Sequence, residues 1–337
     1  MISTSKIIKA VSELSKAKAP SERWITRLED EPPKGQNHFV LFLKPEVLAL
    51  ADGVKVEAIL ELVGSALEAN KVRIGAIRIL NGAYLGRYHI MEEHYGVINR
   101  VSRLGEKSLS APTREKLMAE CPDADRILGG HEFLKEYPEV SAFALNILSD
   151  TIKTRKIASG KYYAMIGVAG ERVAVLNPFH PQQVAHYTAP GRTIVVLECA
   201  SDTDWAVLRQ EMTGATDPTK AAAGSIRRTL LNKKDKLGLR DVATASNGVH
   251  CSAGPLEAML EYCRFFSDHA KKRAIKLTDT PFGQTLAGHG IRKKEIAALA
   301  KNPLLGREGA YAFNLTEEMN SEAAANLLAE MVSETAS

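Results

Sequence analysis

The chain lacks the features that would place it in several large protein classes. Its 337 residues include only four cysteines, Cys121, Cys199, Cys251 and Cys263, widely spaced and without a CxxC pair. That argues against a disulfide framework or a cysteine-built zinc site and leaves reduced intracellular thiols as the expectation. No apolar run approaches the roughly 20 residues that cross a bilayer. The stretch MISTSKIIKAVSELSKAKAP is a polar amphipathic pattern with no apolar signal core, so a cytoplasmic protein without a membrane partner is expected. Charge of one sign is also missing, since 44 Lys and Arg against 40 Asp and Glu leave a net charge of +4. Such a balance is compatible with small anions and is no footprint of specific nucleic-acid binding. Internal repeats and low-complexity tracts are absent as well.

What is present reads as an ordinary globular protein with alternating elements. NHFVLFLKP (37–45) is a nearly continuous apolar run stopped by Pro45, the pattern of a buried central strand. Over 53–70, Val54, Val56, Ile59, Leu60, Val63 and Leu67 form one helical stripe. KVRIGAIRIL (71–80) reads as a strand and LGRYHIMEEHYGVINRV (85–101) as a helix. KYYAMIGV and RVAVL flanking AGE predict a hairpin over 161–176. GRTIVVLECAS (191–201) is a second buried strand, followed by a helix at 203–212, a short strand at DVATAS (241–246) and a helix from 255. With 103–190 set aside, the order β–α–β–α–β–α predicts a ferredoxin-like α/β sandwich with an antiparallel sheet, interrupted by an inserted α/β lobe. The expected division is an N-terminal helical extension over 1–37, a core over 38–102 and 191–270, the lobe over 103–190, and a C-terminal helical extension over 271–337.

Residues 247–254, NGVHCSAG, carry the chemistry. Ser252 and Gly254 suit the start of a helix and Pro255 its first position, so His250 lies just ahead of a helix N-terminus, where an anion is favoured. Glu261 follows within that helix, and a carboxylate on one imidazole nitrogen leaves the other as a nucleophile. A lone histidine in such a setting also has a purely structural reading. The loop GATDPTKAAAGSIR (214–227) offers Thr216 and Arg227 as hydroxyl and guanidinium donors, and Lys44 adds a cation at the end of a buried strand. Together with His250 these make a phosphoryl-transfer set.

LKPE (43–46), EEHYG (92–96), GATDPTKAAAGSIR, NGVHCSAG and EYCRFF (261–266) together resemble the nucleoside diphosphate kinase family, in that family's order. The resemblance covers somewhat under half of the chain, 38–100 and 191–270. It implies a ping-pong transfer of the terminal phosphate of a nucleoside triphosphate to a nucleoside diphosphate through phospho-His250. It further implies that Asn247 meets the nucleotide sugar, Lys44 and Arg227 the phosphates, and Thr216 a phosphate oxygen. Tyr95 would stand beside the histidine, Glu261 would orient it, and Ser252 would hold Glu261. Mg²⁺ would ride on the nucleotide phosphates, with no dedicated metal cage, and a homo-oligomer, a dimer, is expected. The chain departs from the family pattern in several places. Gln210 stands where a second phosphate-binding arginine is expected, with Arg209 one step away as its substitute. Cys251 and Ala253 replace the usual glycine and acid around Ser252. The stretch between Arg227 and Asn247 is longer, and no base-stacking aromatic follows Tyr95. These departures support a second reading, a nucleotide-binding regulatory or interaction protein on the same fold. His180 and His186 lack a metal-site spacing.

Overall fold

The computed structural model describes residues 3–29, 31–306 and 309–336. They fall into two compact units, Met1–Tyr88 with Pro190–Ser337, and His89–Ala189. In the first, helix α1 (Thr4–Lys16) and strand β1 (Glu22–Thr26) precede β2 (Asn37–Leu43), α2 (Val56–Ala69) and β3 (Arg73–Asn81). After the second unit come β4 (Thr193–Ser201), α3 (Ile226–Asn232), β5 (Val249–Cys251), α4 (Pro255–Phe266) and, near the C-terminus, α5 (Ser321–Ala336).

The sheet runs β1-β3-β4-β2-β5, antiparallel at every pairing. Without β1 its order is second, third, first, fourth strand, which makes this a ferredoxin-like α+β fold. β4 is buried at every residue and β2 at all but His38, as their unbroken apolar runs require of central strands. α2 closes one face with Val56, Ile59, Leu60, Val63 and Leu67. Each such side chain contributes about 1.5–3 kcal/mol on burial.

Both expected extensions are part of this unit's packing. Ile7, Ala10, Val11 and Leu14 of α1 join the core under α2. The tail packs Phe282, Leu286, Ile296, Leu299 and Leu328 against Leu256 and Met259 of α4, so α4 is covered on two sides.

The second unit has its own four-stranded sheet, with Arg126–Gly129, Glu171–Leu176, Lys161–Val168 and Arg155–Ala158 side by side. The 161–176 hairpin forms, turning through Ala169 and Gly170, both at positive φ, as a two-residue turn between twisted strands demands. Phe133, Leu145, Ile166, Val173 and Val175 pack on one another, as do Val101, Leu117, Ile157 and Leu176.

Three sequence expectations need correction. The inserted unit begins at His89 rather than 103, because the helix Gly96–Leu104 buries Val101 in that unit's core. The helix expected over 85–101 is three, Gly82–Arg87, Ile90–His94 and Gly96–Leu104, interrupted where His89 takes φ 54°. DVATAS is no strand. Ala243 and Ser246 exchange backbone hydrogen bonds in a turn, and the strand comes later, at Val249–Cys251.

Candidate active site

His250 is the middle residue of β5 and lies opposite Phe42 of β2. The two rings stack with centroids 4.6 Å apart and an interplanar angle of 21°, which fixes the imidazole plane. The side chain retains 17% of its exposure, so it reaches the surface. Its Nε2–H donates to Oε1 of Glu261 at 2.7 Å. Glu261 sits on α4 and is fully buried. Its other oxygen accepts the Ser252 hydroxyl at 2.5 Å, and Ser252 in turn accepts the backbone N–H of Val40 at 2.9 Å. A relay therefore runs from the β2 backbone through Ser252 and Glu261 to His250. Both carboxylate oxygens are satisfied, which offsets a desolvation cost that an unpartnered buried carboxylate could not meet.

Burial holds the His250 pKa below its ordinary value, with Lys44 and Arg209 acting in the same direction and Glu261 opposing them. The neutral, nucleophilic form is favoured. Cys251, the neighbouring nucleophile type, points into the core and burial pushes its thiol up to about 11. A thiol so protonated is a poor nucleophile.

Lys44 extends from the end of β2 and is 7% exposed. Burial brings its pKa down to about 8, against the opposing influence of Glu46 and with Arg227 lowering it further. Its Nζ donates to Oδ1 of Asn247 at 2.7 Å. The Asn247 amide donates to the carbonyls of Thr216, at 2.9 Å, and Thr244, at 3.2 Å. Arg227, on the first turn of α3, donates to the carbonyls of Gly214 at 2.8 Å and Val249 at 3.0 Å. The Thr–Pro loop, Lys44 and the His strand are thus tied together by Asn247 and Arg227.

Beside them opens a cleft of ≈ 420 Å³ lined by Arg209, Gln210, Gly214, Thr216, Lys220 and Arg227, with Glu318 in its wall. Both Arg209 and Gln210 line it because the segment Leu208–Thr213 is a π-helical turn rather than an α-helix. A wider turn changes which neighbours share a face, so the one-residue shift read from the sequence does not remove the guanidinium from the cleft. Arg209 donates to the Cys251 carbonyl at 3.1 Å. Three cations and one carboxylate among the described lining residues suit an anionic phosphate rather than a bare metal ion.

Tyr95 belongs to the second unit, where its hydroxyl lies 3.2 Å from that of Tyr187. Four participants escape the sequence reading. Phe42 and Lys220 were within reach, one in the strand run and the other inside the quoted loop. Glu318 lies too far along the chain for any spacing rule. Glu257 is the fourth, one turn ahead of Glu261. Burial first, and then Glu261, raise it to about 7, against the Ala253 N–H it accepts at 3.2 Å.

No family model matches the chain, and no curated protein does. Among solved structures it is similar to an NDP kinase from Pyrobaculum aerophilum, at 18% identity over 69% of this chain and 96% of that chain, with a TM-score of 0.34. At that identity and score the likeness carries no weight beside the strand order. No helix among the described residues is long and apolar enough to cross a membrane.

Proposed function

We propose that the protein is a nucleoside diphosphate kinase-like phosphotransferase that works through a phosphohistidine at His250. The observation that carries this reading is the relay Ser252–Glu261–His250, with 2.5 and 2.7 Å steps and a fully buried carboxylate. A carboxylate holding Nε2–H leaves the Nδ1 lone pair to attack. In the first half-reaction Nδ1 bonds to the terminal phosphorus of a nucleoside triphosphate, and the bond to the bridging oxygen breaks to release the diphosphate. In the second, a terminal oxygen of an acceptor diphosphate attacks phosphorus and the P–N bond breaks, returning neutral His250. Arg209, Lys220 and Arg227, with Thr216, would hold the phosphates, and Lys44 would stabilise charge developing on the transferred group. Asn247 would reach the sugar, and Mg²⁺ would arrive as part of the nucleotide substrate. Tyr95 enters on the resemblance alone.

A second reading is a nucleotide-binding regulatory protein without turnover. The commitment of the Arg209 guanidinium to Cys251, Glu317 and Glu318 favours it. The two readings separate in one assay with γ-labelled ATP and Mg²⁺, on wild type and His250→Ala. Acid-labile, alkali-stable label that is absent in the variant and discharged by added nucleoside diphosphates is expected. ATP binding without label supports the second reading and overturns the first.

A further inference from the structure

The C-terminal segment borders the cleft at Glu318 and sets two carboxylates beside one cation. Glu317 Oε1 lies 3.5 Å from Arg209 Nη2, and Glu318 Oε1 lies 3.9 Å from Arg209 Nε. The other Glu318 oxygen accepts the Gln210 amide at 2.5 Å, so this carboxylate sits in the cleft wall beside Arg209 and Gln210, the two residues of the π-helical turn that line it. The segment is docked rather than passing by. The Glu318 N–H donates to the Ala253 carbonyl at 2.9 Å, three residues after His250. Thr316 is fully buried, and its carbonyl lies where a Cβ on Gly254 would stand, 2.3 Å from it. Gly254 therefore has no side chain in the space the segment takes.

The charges do not balance locally. Arg209 has two carboxylates from the tail beside its one guanidinium. Glu318 lines the cleft itself, where the other charged lining residues are the cations Arg209, Lys220 and Arg227. An incoming phosphate must displace Glu317 and Glu318 from Arg209 and approach against their repulsion. Substrate and tail compete for the same guanidinium.

We propose that residues 316–318 form an autoinhibitory acidic strap, in which Glu317 and Glu318 hold Arg209 until a polyphosphate replaces them. The proposal rests on the reading of the cleft as a phosphate site. It makes the tail a regulator of anion affinity, because anything that lifts the segment off Ala253 and Gly254 takes both carboxylates away from Arg209, which keeps its hydrogen bond to the Cys251 carbonyl.

The test is calorimetric titration of inorganic tripolyphosphate into the full-length protein at low ionic strength. Wild type, the Glu317→Gln/Glu318→Gln double variant, Arg209→Gln and the triple variant are compared. Glutamine keeps the shape and the hydrogen-bonding oxygen while removing the charge. The double variant is expected to bind about three- to tenfold more tightly than wild type, given partly exposed charge pairs. The gain should be lost on the Arg209→Gln background, where no guanidinium is left to release. Equal or weaker binding in the double variant overturns the strap and leaves the phosphate cleft intact. A gain that persists without Arg209 also overturns it, since removal of general repulsion then suffices. Failure of all four proteins to bind overturns the strap together with the phosphate reading of the cleft. Glu317→Gln alone, at a half-exposed residue, gives the same sign with a smaller gain if the double variant loses stability.

Discussion

In the proposed reaction His250 depends on the groups that surround it, and its titration should show them. Its folded pKa lies below the ordinary histidine value, so the unfolded chain binds the extra proton first as pH falls. The sign follows. Stability is lost as pH drops below about 6.5, and the neutral nucleophile is retained above it. Lys44 sets the other side, since its proton leaves at about 8 and the cation leaves with it. The rate of His250 phosphorylation should therefore decline on acidification and again above about pH 8. Lys44→Gln should lower the rate and flatten the alkaline decline, and an unchanged alkaline limb would remove Lys44 from the account. Glu261→Gln tests the relay, because an amide cannot carry the charge that steadies the imidazole. The expected loss in phosphorylation rate is on the order of 10²- to 10⁴-fold with the fold retained, read by rapid-quench labelling alongside circular dichroism.

At the scale of elements, the parts that the sequence shows are those specified by local pattern. β2, α2 and β4 each carry a run or stripe that only one periodicity explains, and the Ala-Gly turn announces its hairpin. The His strand escaped because three residues carry too little pattern. It is held by neighbours far along the chain. Gly248 illustrates this, with φ 81°, an N–H donated to Glu46 and a carbonyl accepting from Lys44. A Cβ there would meet Leu230 Cδ1 at 2.4 Å. Gly248→Ala should cost about 1–3 kcal/mol in a denaturant titration, through both the left-handed backbone and the contact. A loss below a few tenths would show that the connection into β5 is not held as described. The π-helical turn at Leu208–Thr213 was invisible for a related reason: its residues are ordinary helix formers, and the wider turn arises where the segment meets the site. Of the candidate site, the residue types and their order were legible. The ties from Asn247 to Thr216 and Lys44, and the tail carboxylates, were not, because those contacts join residues 31, 203 and, for Gln210 and Glu318, 108 positions apart.

At the scale of the whole molecule, the chain is one sandwich unit interrupted by another unit with its own cores. Asn81 and Thr193 are paired neighbours in β3 and β4, and Gly82 donates to Arg192 at 2.7 Å, so the strands that flank the interruption are paired within a few residues of it, one short helix (Gly82–Arg87) away on the N-terminal side. Replacing 89–189 by a short Gly-Ser loop should leave a folded sheet unit with a single cooperative melt, and the excised segment should fold alone. Loss of cooperative melting in the shortened chain would mean that the sheet depends on the inserted unit. The most direct test of the central claim lies at the His strand of that sheet unit. The claim is that Glu261 holds Nε2 and leaves Nδ1 to take the phosphate. Phosphorus NMR of the protein after reaction with ATP and Mg²⁺ distinguishes the two phosphohistidine isomers. The account predicts Nδ1-phosphohistidine at His250. Phosphate on Nε2, or no phosphohistidine in a protein that still binds ATP, would contradict it.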